Sequence, residues 1–395
     1  YITETDEAKK AYHRERVGRR RRYLSAYSDY GLVGPFIERA LDLSTRRALV
    51  GMIVSNAFAK KPTGRPLVEE VLTQTDLRMV VDTSQATIPH HGTPTMILFM
   101  VNQCPGERTV PVIVGKRRSR GGVDGKDDSA AWSSLVKAAS SPQYEDSYAY
   151  RVEQDRTSLD RHPWSFGASG AAALKSAIEC ATGETLEKTG AEIGRTTVCG
   201  AEPVYNLTPE QAARLGVDDI LLSSVAGHAV RDWSVDPIET LLYPHEEPGG
   251  EPIGEEHRAV ARHLWRYRAL LRARQHYGRT LADIGRSWVE HIQHQADRIP
   301  RRRGLAHTFV ATHAHFSYCD TPQLYMKTAP ALRLPRGAHD FEYFNLLGYL
   351  NSSLACFWMK QILHPKSHSS QKHHPDPSRA VYEFTATGLA KLPLP

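Results

Sequence analysis

The sequence predicts an α/β fold followed by a less regular mixed α/β region, on three observations. Residues 30–101 alternate apolar runs with helix-spaced apolar residues, as a sheet covered by helices requires. The stretch KRRSRGGVDGKDDSA, 116–130, interrupts that rhythm with glycine and charge. Beyond it, short strand-like pieces are scattered among amphipathic segments. These observations divide the chain into residues 1–115, a linker at 116–130, and a region 131–395 with a helical segment at about 255–300.

Each element follows from local pattern. Val33, Phe36, Ile37, Ala40, Leu41 and Leu43 recur at helical spacing, and LVGMIV (49–54) reads as a strand buried on both faces. Gly64 and Pro66 open a second helix carrying Leu67, Val68, Val71 and Leu72, with Glu69 and Glu70 near its N-terminus. LRMVVD (77–82) and PTMILFMV (94–101) are strands joined by TSQATIPHHG. That connection is too short for a crossover helix, so this pair should be antiparallel. TVPVIVG (109–115) adds a strand. Further on, HPWSFGASGAAALKSAIECATG (162–183) reads as a loop entering a helix. Residues 257–277 and 341–363 read as long helices, and HTFVATHA (307–314) and QLYMKT (323–328) as strands.

Composition narrows the function class. The apolar share of 41% and charged share of 24% are globular. No run approaches the roughly 18 apolar residues of a membrane span, so no membrane partner is expected. Five cysteines without C-x-x-C spacing argue against disulfides and a zinc site, and a cytoplasmic location fits. Histidines 364, 368, 373 and 374 lie in a polar segment with irregular spacing, so no metal is expected. The formal charge of +6 permits a polyanionic partner. Its clusters, at Arg19–Arg22, Lys116–Arg120, Arg258–Arg274 and Arg298–Arg303, suit either solvated faces or phosphate contacts. For DNA-backbone contact the candidates are Arg258, Arg262, Arg272, Arg301, Arg302 and Arg303.

The order YIT, GPFIERALDL, VGMIVSNAF, LRMVVDTS, HGTPTMILF resembles the segment C-terminal to the N-P-P-Y motif in amino-methyltransferases. With HPWSFGASG, IGRTTVCGAE, LNSSLACFW and YEFTATGLAKLPLP, it is similar to the PglX-type adenine-specific DNA methyltransferases of type 2 BREX (phage growth limitation) systems. The resemblance implies the C-terminal half of a class I (Rossmann-like) methyltransferase sheet followed by a mixed α/β target-recognition domain. It implies methyl transfer from S-adenosylmethionine to adenine N6 in double-stranded DNA, with other BREX/Pgl defence proteins as possible partners. Tyr1 is then the N-P-P-Y aromatic that stacks on a flipped adenine. Ser55, Asn56 and Phe58 match V-P-N-S-F at the substrate pocket, and Ile88 stands where relatives place a second aromatic residue, with His90 or His91 as substitutes.

Two departures matter. The neighbours Asn-Pro-Pro and the glycine-rich cofactor loop do not appear in the sequence; GGVDG (121–125) and GASGAAALKSAI (167–178) lack the strand-to-helix context. The expectation is a chain cut from a longer enzyme and inactive alone. The rival reading is a non-catalytic DNA-binding specificity module.

Overall fold

The computed structural model describes residues 6–15, 23–28, 30–84, 94–116, 126–166, 170–181, 183–236, 238–246, 251–253, 257–295, 297–298, 303–320, 324–363, 365–366 and 381–395. Two compact units are present: residues 1–181 with 360–381, and residues 182–359 with 382–395.

In the first unit, α1 (Glu7–Glu15) and α2 (Val33–Leu43) precede a five-stranded sheet of β1 (Leu49–Ser55), β2 (Asp76–Asp82), β3 (Thr95–Val101), β4 (Thr109–Gly115) and β5 (Ala149–Asp155), in the order β1-β3-β2-β4-β5. The expected β2–β3 pair is antiparallel, with Val80 opposite Leu98. β3 also runs antiparallel to β1, Ile53 facing Ile97, so the reversed strand sits between β1 and β2.

Period-two alternation gives the sheet two buried faces. Val80 and Val112 join Ile37 and Leu41 of α2 on one side. Val81 and Ile113 point the other way, onto Ala131, Leu135 and Ala138 of helix α3 (Lys126–Ser140). The mixed α/β class read from the sequence is therefore present.

Several expectations need correction. The boundary at 116–130 does not divide the structure. Part of it is α3, which covers the sheet, and β5 pairs with β4 along its full length, so the first unit continues to Ala181. Segment 162–166 accordingly belongs to the first unit, where fully buried Trp164 packs edge-on against Phe58 with centroids 5.4 Å apart. β1 is not buried on both faces: it is the sheet's edge among the described residues, with Leu49 67% and Ile53 59% exposed. The helix expected at 67–72 is one π-turn, Leu67–Val71, followed by a 3-10 turn, Leu72–Gln74.

The second unit is built from small sheets. One is antiparallel, ordered Phe316–Cys319, Gly304–His307, Ala331–Arg333, Glu192–Gly194. Another orders Glu239–Leu242, Leu221–Val225, Leu324–Tyr325. The first expected long helix ends early: Arg258–Leu264, a 3-10 turn Trp265–Tyr267 and Arg268–Arg272 lead into a hairpin, Gln275–His276 with Arg279–Thr280. The apolar stretch 341–363 is two helices, Asp340–Leu350 and Ser353–Ile362. They part at Asn351, whose side chain exchanges hydrogen bonds with the Phe316 backbone, at 2.9 and 3.0 Å, and at Ser352, whose hydroxyl accepts from Ala355 N–H.

Among the described residues, no helix is long and apolar enough to cross a membrane.

Candidate substrate hollow and nucleic-acid surface

Ser55 ends β1 and caps the 3-10 helix Asn56–Ala59, its hydroxyl accepting from Ala57 N–H at 3.3 Å. Asn56 is buried, and its backbone N–H donates to Pro94 O at 3.1 Å, tying the end of β1 to the start of β3. Phe58 serves the core through Trp164 while one side lines a hollow. Gly64 closes on it so tightly that a Cβ there would stand 1.9 Å from Phe58 O.

The hollow, about 380 Å³ of space open to solvent, lies between this carboxyl end of β1 and the segment before α2. Ser25, Tyr30, Gly34, Ser55, Phe58 and Gly64 are among its walls. The segment is held by Glu38, whose buried carboxylate accepts from the N–H groups of Leu24 and Ser25 and from the Ser25 hydroxyl. Tyr30 is fixed by a 2.6 Å hydrogen bond between its hydroxyl and His13 Nδ1. Gly34 lets α2 approach, since a Cβ would meet the Ser25 side chain at 2.5 Å.

Of the residues expected at this site, the structure brings Ser55 and Phe58 to the hollow and buries Asn56 beside them. Tyr1, Ile88, His90 and His91 lie outside the described residues. Sequence reasoning missed Ser25, Tyr30 and Glu38. The available signal was the one carboxylate on the apolar side of GPFIERALDL.

Nearby in sequence, Lys60 donates to the Gln361 carbonyl, and desolvation pulls its pKa down to about 7 against the raising effect of Asp82. Burial in turn pushes the Asp82 carboxyl above its ordinary range.

In the second unit, Arg258, Arg262 and Arg272 are exposed, as phosphate contact would need. Arg268 lies over the Trp265 ring at 4.5 Å, and Arg272 over Trp288 at 5.5 Å. Arg301 and Arg302 lie outside the described residues. Arg303, half exposed, pairs with Asp340 at 2.6 Å and donates to the Ala338 carbonyl. Arg274, within the same basic run, is buried. It donates to the carbonyls of Leu271, Cys199, Trp288 and Glu290, at 3.0, 2.5, 2.5 and 2.9 Å, and is structural.

Among the described residues, no group of three or more His, Cys, Asp or Glu side chains could hold a metal ion. Among the described residues, the hollow's lining contains no carboxylate for ribose hydroxyls or the methionine ammonium, so this lining does not fit S-adenosylmethionine.

No family model matches the chain. The chain is 30% identical over 416 aligned positions to the adenine-specific methyltransferase PglX of Streptomyces coelicolor, covering 100% of this chain and 34% of that protein. It thus spans about a third of the curated relative's length. Among solved structures it is similar to the type IIL restriction-modification enzyme MmeI in complex with DNA, with TM-score 0.54 and 9% identity over 93% of this chain and 40% of that one. The type IIG restriction endonuclease BpuSI gives a TM-score of 0.35 and 12% identity over 99% and 45%. At such identities the MmeI likeness concerns the fold. The chain is thus similar along its whole length to about a third of the adenine-specific methyltransferase PglX, on an α/β scaffold similar to that of a restriction-modification enzyme.

Proposed function

We propose that the chain is the substrate-pocket and DNA-recognition portion of a site-specific DNA methyltransferase acting on adenine N6 in a BREX phage-defence system. The observation that carries this reading is the end-to-end similarity to PglX, joined to a hollow at the carboxyl end of β1, where open α/β sheets collect ligands. The exocyclic amine of adenine is a poor nucleophile because its lone pair is delocalised into the ring. The enzyme must take the base out of the stack and accept hydrogen bonds from its amino protons. In this reading the hollow receives the flipped base, with Ser55 and Phe58 lining it, Asn56 beside them and Tyr30 fixing one wall. Tyr1 stacks on the base, and Ile88, His90 or His91 closes over it. The second unit grips duplex DNA through Arg258, Arg262 and Arg272.

S-adenosylmethionine is the methyl donor of the parent reaction, and no step is routed through it because the residues present do not fit it. In this reading the chain alone is inactive and depends on a cofactor-binding segment. Other BREX/Pgl proteins are partners in this scheme.

The experiment is mass spectrometry for N6-methyladenine in plasmid DNA incubated with S-adenosylmethionine and either the chain alone or the chain joined to a PglX-like cofactor segment. Methylation only by the joined protein is expected. Methylation by the chain alone would refute its inactivity, and none by a folded joined protein would refute the assignment. One observation favours a second reading, a DNA-binding specificity module: seven arginines and no acidic residue lie between His257 and Thr280.

A further inference from the structure

Tyr277 occupies the tip of the hairpin formed by Gln275–His276 and Arg279–Thr280. The two turn residues, Tyr277 and Gly278, have φ of 50° and 80°, the signs a type I′ turn requires. Glycine, asparagine and aspartate take the first of these positions readily; a large aromatic ring there is strained. The ring is also 86% exposed, so little packing offsets that strain.

The turn beneath it is rigid. Thr280 donates to Asp283 Oδ2 through its N–H at 2.9 Å and its hydroxyl at 2.7 Å, while Arg279 Nη2 donates to the Asp283 carbonyl at 2.5 Å. The His276 ring braces Tyr277, with centroids 4.6 Å apart. Leu281, just beyond, is buried.

Strain kept for an exposed ring on a stiff support points to a surface that the ring meets. Local charge identifies its chemistry, because the adjoining segment carries exposed Arg258, Arg262, Arg266, Arg268, Arg272 and Arg279, with Trp265 and Tyr267 exposed among them. Cations interleaved with aromatic rings match a phosphate backbone with a base step that a ring can enter. Trp233 is a second exposed aromatic residue with positive φ, 71°, but its turn neighbour Asp232 is an anion paired with His315 at 2.8 Å. The tip at Tyr277 follows in sequence on the run of exposed arginines, and the nearby Asp283 carboxylate is occupied by Thr280.

We propose that Tyr277 is a stacking wedge that lays its ring against a DNA base while the surrounding arginines hold the phosphates. The proposal rests on the DNA-binding reading and adds the residue that meets the bases.

The test uses the whole chain and a fluorescently labelled mixed-sequence DNA duplex, titrated at several salt concentrations, with the variants Tyr277→Asn and Tyr277→Phe. Asparagine suits the turn, so that variant should melt at or above the wild-type temperature. It should bind DNA about tenfold more weakly, the order of one lost base stack, with an unchanged salt slope because no charge is removed. Phenylalanine should retain wild-type affinity. Salt-dependent binding by the wild type together with Tyr277→Asn within twofold of it would overturn the wedge and leave the DNA reading intact. Equal losses in both variants would overturn it in favour of a hydroxyl contact. Absence of any salt-dependent binding by the wild type would bring down the DNA reading and the wedge with it.

Discussion

The Glu38 carboxylate of α2 accepts the backbone N–H of Ser25 at 2.8 Å, across 13 residues of sequence, and so sets one wall of the hollow. The same carboxylate also accepts from Leu24 N–H and the Ser25 hydroxyl. Hydrogen bonds to a charged group contribute roughly 1.5–3 kcal/mol each when a partner is lost in a buried setting. Glu38→Gln would turn an amide donor towards a site made of donors. It is expected to lower stability by about 2 kcal/mol and to loosen the segment 24–30. Urea unfolding tests this: a midpoint unchanged from wild type would remove Glu38 from its anchoring role.

Gly64→Ala places a methyl group 1.9 Å from Phe58 O and 2.5 Å from Phe58 C, both backbone atoms that cannot rotate away. The 3-10 helix Asn56–Ala59 must then move, taking Ser55 and Phe58 with it. Overpacking of this kind costs about 1–3 kcal/mol. Thermal unfolding of the variant should show that loss, and a melting temperature equal to wild type would contradict so close an approach.

The sheet was legible because its strands are apolar runs punctuated by turn residues, and the short connection before PTMILFMV dictated an antiparallel return. What local pattern could not reveal was pairing between distant segments. β5, AYRVEQD, has too many polar residues to announce a strand; its partner β4 makes it one. LVGMIV is apolar enough for burial, but burial of a strand depends on neighbours, and β1 lies at an edge. Ser55 and Phe58, which a motif-like stretch singles out, line the hollow, and Asn56 is buried beside them. Ser25 and Tyr30 were missed because a carboxylate and a histidine far along the chain bring them there. Charge misleads most at Arg274, which counts as one more cation in a basic run but holds four buried carbonyls together.

The arginines of the second unit should separate by salt dependence. Each phosphate contact contributes about 0.9 to the slope of log affinity against log salt on duplex DNA. Arg258→Ala, Arg262→Ala and Arg272→Ala should each lower that slope by about this amount, weakening binding alike on all sequences. Arg303→Ala should leave the slope unchanged, because Asp340 already takes its charge. That pair is half exposed, so its loss should alter stability by less than about 1 kcal/mol. Equal slopes for Arg262→Ala and wild type would exclude Arg262 from phosphate contact.

His291 gives the second unit a pH dependence whose sign is fixed by geometry. Its fully buried ring lies between two partners: Nε2 donates to the Leu242 carbonyl at 3.0 Å, and Nδ1 accepts from the Thr197 hydroxyl at 2.6 Å. Both contacts are met by the neutral ring, and an added proton would place a charge in a desolvated site, where the Thr197 hydroxyl would have to turn to the Gln293 carbonyl at 3.2 Å. Desolvation accordingly lowers the pKa to about 3 from 6.5. Between these values the unfolded chain takes up a proton that the folded chain refuses, so this residue's effect favours unfolding increasingly as pH falls from about 6.5 towards 3. Above pH 6.5 the penalty disappears. His291→Gln is expected to be less stable than wild type at pH 7, because its amide cannot meet both partners from the same position. Since it takes up no proton, the gap between the two proteins should narrow as pH is lowered to 4. Guanidinium unfolding midpoints at pH 7, 6, 5 and 4 provide the check, and a gap that stays constant or widens across that range would show that His291 is not held neutral.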